Sequence, residues 1–132
     1  MIGLDTNLLV RFIMQDDPIQ SRQVRNIIER RLTERNPGFV SLATILETAW
    51  VLESSYRQSG KQIAEAVHRI LQVETFVIQN EQEVYTAMIA LETGLGSFDD
   101  ALIAALGSWA GCTSTLTFDR KASRMHGFEL LA

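Results

Sequence analysis

One cysteine in 132 residues, Cys112, excludes an internal disulfide framework and fits a reducing compartment. Set between Gly111 and Thr113, it reads as a small strand-entry residue rather than a nucleophile. The two histidines, His68 and His126, are too isolated to suggest a zinc site and read as surface residues. No apolar run approaches the roughly 20 residues that span a bilayer, and the amino terminus lacks the basic and apolar regions of a signal peptide. A basic excess is missing too: 12 Lys and Arg stand against 16 Asp and Glu, for a net charge of −4 and a pI near 5.1. That balance argues against binding nucleic acid through a broad basic surface, but not against a metal site helped by a few local cations. With no repeat, linker or low-complexity tract, the expectation is one cytoplasmic domain over residues 1–132.

What is present is an alternation of strand and helix signals. Ile2 to Asp5 reads as a strand, followed by a helical turn through Leu8, Leu9, Phe12 and Ile13. Asp17 and Pro18 open a second helix, as N-cap and first helical residue, and its periodicity continues to Arg35. Asn36-Pro37-Gly38 ends it before a brief strand at Phe39 to Ser41. Helices follow over Leu42 to Ser55 and Lys61 to Gln72, then a strand at Thr75 to Ile78 and a helix from Glu83 to Glu92. Ser97 opens a helix reaching Ala110, with strands at Thr113 to Phe118 and Phe128 to Leu131. This order predicts an α/β/α sandwich around a mostly parallel central sheet. In such sheets ligands bind beyond the carboxyl ends of the strands.

Four acids stand out against that frame. Asp5 ends the first strand, Glu47 sits inside an apolar helix, Asp100 precedes the run Ala101 to Leu106, and Asp119 follows the last long strand. A carboxylate near a core costs several kcal/mol unless its charge is offset. No basic residue lies within four positions of Glu47. If the four converge, a divalent cation held by oxygen ligands would offset them. Each also has a simpler reading: Asp5 and Asp119 as caps of the segments they precede, Asp100 within a Ser97-x-x-Asp100 capping box, and Glu47 as a core-edge carboxylate reaching solvent.

The chain resembles the PIN-domain family of metal-dependent ribonucleases, and within it the VapC-type toxins. The resemblance rests on Gly3-Leu4-Asp5-Thr6-Asn7, Leu46-Glu47-Thr48-Ala49-Trp50-Val51-Leu52, Asp100-Ala101-Leu102-Ile103-Ala104-Ala105 and Leu116-Thr117-Phe118-Asp119-Arg120-Lys121, in that order. It implies that Asp5, Glu47, Asp100 and Asp119 are the catalytic, metal-binding set, with Asp99 as rival for the third place. Asp100 is preferred because the family's acid stands immediately before the apolar run, and Asp119 falls at the family's more variable position. Thr6, Asn7 and Thr117 would be polar supports. Mg²⁺ or Mn²⁺ would be the cofactor, consistent with acids unaccompanied by His or Cys. The implied reaction is hydrolysis of RNA by metal-activated water, leaving 3′-hydroxyl and 5′-phosphate ends. Arg120, Lys121, Arg124 and Arg11 are candidate RNA-phosphate contacts, whereas the arginines from Arg22 to Arg35 read as a solvated face. The resemblance also implies a small VapB-like antitoxin and a homodimer. Apolar residues of the early helices (Leu8, Leu9, Phe12, Ile13, Trp50 and Leu52) could serve that interface or the core.

Other functions remain open at this point. One is a PIN nuclease of RNA processing with no antitoxin; another is a PIN-like binding module without chemistry. A haloacid-dehalogenase-type phosphatase would want a second acid two residues after Asp5, where Asn7 stands. A receiver-type domain would want paired acids at the first strand and a lysine placed differently from Lys121.

Overall fold

The computed structural model describes residues 1–131; Ala132, the last residue of the domain expected over 1–132, lies outside the described residues. Three short strands, β1 (Ile2–Gly3), β2 (Gly38–Val40) and β3 (Phe76–Ile78), form a parallel sheet in the order β1-β2-β3. Ile2 pairs with Gly38, and Gly38 with Phe76. Six helices fill the connections: α1 (Thr6–Met14), α2 (Pro18–Asn26), α3 (Leu42–Ser54), α4 (Gly60–Leu71), α5 (Glu81–Glu92) and α6 (Phe98–Trp109). Two further strands, β4 (Thr115–Thr117) and β5 (Phe128–Leu130), pair in parallel across a 3₁₀ turn at Ala122–Arg124. This is the predicted α/β/α arrangement, since parallel strands need crossovers and the crossovers place helices over the sheet.

The core is built from one stripe per helix and alternate strand residues. Leu9, Val40, Ile45, Leu52, Ile70, Val84 and Leu102 are essentially sealed from water. On α4 the buried positions Ile63, Ala66, Val67 and Ile70 follow helical spacing and pack toward α5. Gly38 is required by close approach: a Cβ there would lie 2.7 Å from Leu4 Cδ1 and 2.9 Å from Leu32 Cδ1. No helix is long and apolar enough to cross a membrane among the described residues.

Two expectations change in detail. The helix expected to reach Arg35 ends as an α-helix at Asn26 and continues as a π turn over Ile27–Arg31. There the Leu32 N–H donates to Ile27 O at 2.9 Å, a wider closure that lets Leu32 turn into the core. The parallel strands also fall into two sheets rather than one. β1 contributes only two residues, and β4 makes its ladder with β5, leaving Phe118 81% exposed.

Candidate active site at the ends of β1 and α3

Asp5 stands two residues beyond β1, in extended backbone, and caps α1: its Oδ1 accepts the Thr6 N–H at 2.7 Å. Its second carboxylate oxygen has no partner among the described residues. α3 begins just beyond β2, capped by Ser41, which accepts the Thr44 N–H at 3.1 Å. Its buried stripe of Ile45, Thr48, Ala49 and Leu52 turns Glu47, Val51 and Ser55 toward α1. From α1, Asn7, Val10 and Arg11 come at the same helical spacing. Together with Asp5, Thr6 and Tyr56 they line a water-open cavity of about 490 Å³. Glu47 also borders a second cavity of about 530 Å³, shared with Trp50, Ser97 and Asp99. Glu47 is therefore the boundary between a cleft holding Asp5 and a cleft reaching the start of α6.

The structure thus places Asp5 and Glu47 on one cavity and Asp99 on the neighbouring cavity that Glu47 also borders. Asp100, half-buried, lines neither cavity; its backbone N–H is taken by Ser97 Oγ at 3.3 Å. Asp119 caps its own turn, with Oδ1 accepting from the N–H groups of Lys121 (2.8 Å) and Ala122 (3.3 Å). Thr117 Oγ1 accepts the Asp119 N–H at 3.0 Å. Thr6 is buried behind Asp5, and Asn7 lines the cavity. No group of three or more His, Cys, Asp or Glu side chains is close enough to hold a metal ion among the described residues.

The premise that these acids sit near the core is corrected. Asp5, Glu47 and Asp119 are exposed, because each lies at a strand end or on a helix face that opens to water. Their desolvation cost is small, and what distinguishes Asp5 and Glu47 is that they line one cavity with neither carboxylate ion-paired. The one ion pair among the described residues is Arg11–Asp16, at 3.0 Å.

A network unforeseen in the sequence borders the cavity through Arg11 and Tyr56. Arg11 Nε donates to Gln20 Oε1 (2.7 Å), and Arg11 Nη1 donates to Asp16 Oδ1 (3.0 Å) and Tyr56 Oη (3.3 Å). The Tyr56 hydroxyl donates to Asp16 Oδ2 at 2.7 Å. The Tyr56 hydrogen bond, then Arg11, holds the Asp16 carboxyl below the usual carboxylate range; Asp16 in turn pushes the Tyr56 phenol up. Residues 40 positions apart carry no shared sequence signal. The buried Glu83 was also missed; it stands in the first turn of α5, with Asn80 Nδ2 3.5 Å from its Oε1.

His68 and His126 are exposed, as expected, and so are Arg22, Arg25, Arg30, Arg31 and Arg35. Arg120, Lys121 and Arg124 are exposed and form no ion pair among the described residues. Of the early apolar residues, Leu9 and Leu52 are core, Leu8, Phe12 and Ile13 pack half-buried against it, and Trp50 stays 65% exposed.

A parallel α/β fold with acids just beyond its strand ends defines the class of architecture in which ligands meet the strand ends. The chain belongs to the PIN domain family, whose model matches residues 2–127. PIN domains are in general nucleases that use divalent metals. No curated protein matches the chain.

Proposed function

We propose that this chain is a single-domain, metal-dependent endoribonuclease of the cytoplasm, the VapC-like toxin of a type II toxin–antitoxin pair. The observation that supports the reading most is the Asp5–Glu47 pair: two carboxylates on one water-open cavity at the strand ends, neither ion-paired. The donor set suits a hard cation such as Mg²⁺ or Mn²⁺, since carboxylate, amide and hydroxyl oxygens of Asp5, Glu47, Asn7 and Ser55 line the cavity without His or Cys. Asp5 and Glu47 would hold the ion, with Asp100 and Asp119 as further acidic ligands and Asp99 as rival to Asp100. A bound divalent ion supplies an activated water and charge neutralisation at the phosphate.

The chain's own residues do the rest. Asp5 is oriented by the Thr6 N–H, which fixes one oxygen and leaves the other turned outward. Asp119 is oriented by its own turn and by Thr117. Arg120, Lys121 and Arg124 would hold RNA phosphates, each unpaired cation adding affinity without sequence preference. The partners of this reading are RNA, a small VapB-like antitoxin covering the acidic cavity, and a second copy of the chain, for which exposed Trp50 offers apolar surface.

Alanine at Asp5 or Asp100 is expected to lower RNA cleavage by about a hundredfold or more, as for loss of a group stabilising transition-state charge. The fold should be retained and, for Asp5, the melting temperature lowered only by the few degrees that loss of a helix cap costs. Full activity in either variant contradicts the assignment of that acid. Growth arrest on expression, relieved by a neighbouring small open reading frame, tests the toxin role against RNA processing without an antitoxin.

A further inference from the structure

Arg11 lines the same cavity as Asp5 and Glu47, yet pairs with neither. Its guanidinium is instead committed to other partners, through Nε to Gln20 and through Nη1 to Asp16 and Tyr56. A guanidinium has five N–H donors in a rigid plane, so bonds from Nε and from Nη1, which lie on different edges, fix its orientation. The two N–H groups of Nη2 have no acceptor among the described residues. Tyr56 ties the arrangement together, accepting from Arg11 and donating to Asp16 at 2.7 Å. Left loose, an arginine beside two unpaired carboxylates would turn onto them, because opposite charges attract most where no other partner competes. Asp16 supplies the competing charge, and Tyr56 and Gln20 supply the geometry.

We propose that Asp16, Tyr56 and Gln20 form a clamp that holds Arg11 off the Asp5–Glu47 pair, keeping the pair open to a divalent cation and leaving Nη2 for a phosphate oxygen. The clamp rests on the cation role proposed above for Asp5 and Glu47. Asp16 and Tyr56 are positioning residues that act through Arg11; Asp16 lies outside the cavity, and Tyr56 lines it beside Arg11.

The test is calorimetric titration of the full chain with Mn²⁺ alone, comparing wild type with Asp16→Ala, Tyr56→Phe, Asp5→Asn and each clamp variant combined with Arg11→Ala. Tyr56→Phe leaves the charge unchanged and removes one hydroxyl, so it guards against misfolding and against a general charge effect in Asp16→Ala. Released Arg11 should compete with Mn²⁺ and weaken its binding about threefold or more, the scale of an exposed ion pair. In the Arg11→Ala background Tyr56→Phe should have no effect, and affinity should return to the wild-type value or above. Unchanged Mn²⁺ affinity in both clamp variants, or a loss from Tyr56→Phe that persists without Arg11, overturns the clamp and leaves the cation site standing. Wild-type protein that shows no Mn²⁺ binding dependent on Asp5 overturns the cation site and the clamp with it.

Discussion

At the scale of single residues, Asp5 and Glu47 share a cavity and neither is ion-paired, although Arg11 lines it too. Glu47→Gln is expected to stabilise the metal-free protein slightly, by relieving repulsion with Asp5, while weakening Mn²⁺ binding; thermal melts with and without Mn²⁺ check both. A variant less stable than wild type without metal would contradict the repulsion. The Asp16–Tyr56 bond gives a pH signature with two limbs. The depressed carboxyl of Asp16 contributes stability above its unfolded pKa, and that contribution is lost as pH falls through the folded value. The raised phenol of Tyr56 contributes below the ordinary tyrosine pKa of about 10 and is lost as pH rises through the folded value. Wild type should therefore exceed Tyr56→Phe in melting temperature across the neutral range, with the gap shrinking in acid and in alkali. A gap independent of pH would dismiss the hydrogen bond as its source. Asp5 was legible because a strand-end acid followed by a helix has few readings, and Asp17 because Pro18 marks the helix start. Asp16 and Tyr56 were not, since their meeting depends on how α1 and the end of α3 lie together. Glu47 was singled out for the wrong reason: an apolar neighbourhood in sequence did not mean a buried carboxylate.

At the scale of elements, helix starts were the most readable features, because caps are local chemistry. Asp17 and Ser97 accept backbone N–H groups as the helix starts expected of them, and Ser41, expected to end a strand, also caps α3. α4 has a reciprocal capping box: Ser59 accepts the Gln62 N–H at 3.3 Å, and Gln62 Oε1 accepts the Ser59 N–H at 2.9 Å. Ser59→Ala should cost about 1 kcal/mol in denaturant unfolding, and a change well below that would make the cap dispensable. Leu52, fully buried on the inner stripe of α3, should cost about 2–5 kcal/mol as alanine. Because α3 carries Glu47, this variant should also lower Mn²⁺ affinity if helix position sets the site. The π turn after α2 was not legible, since the sequence Ile27-Ile28-Glu29-Arg30-Arg31 continues the helical spacing of its neighbours. What diverts it is the burial available to Leu32 against Gly38, a contact the chain makes only once β2 is in place.

At the scale of the whole molecule, alternation of strands and helices was enough to predict parallel pairing and an α/β/α arrangement. The split into β1-β2-β3 and β4-β5 was not readable, because which strand neighbours which depends on contacts far apart in sequence. The same split explains why Asp119 does not line the Asp5–Glu47 cavity. An acidic chain that binds RNA must do so through few cations, and Arg120, Lys121 and Arg124 are exposed and unpaired among the described residues. Replacing all three with alanine should weaken RNA binding and flatten its dependence on salt, by a slope of about two on logarithmic axes for single strands. An unchanged slope would show that they face only solvent. The central claim is tested most directly by incubating purified protein with a mixed RNA pool in Mn²⁺ or Mg²⁺, beside EDTA and Asp5→Asn controls. Cleavage that requires the metal and disappears in Asp5→Asn is the predicted result; cleavage that survives EDTA or the Asp5 substitution, or none under any condition, would contradict it.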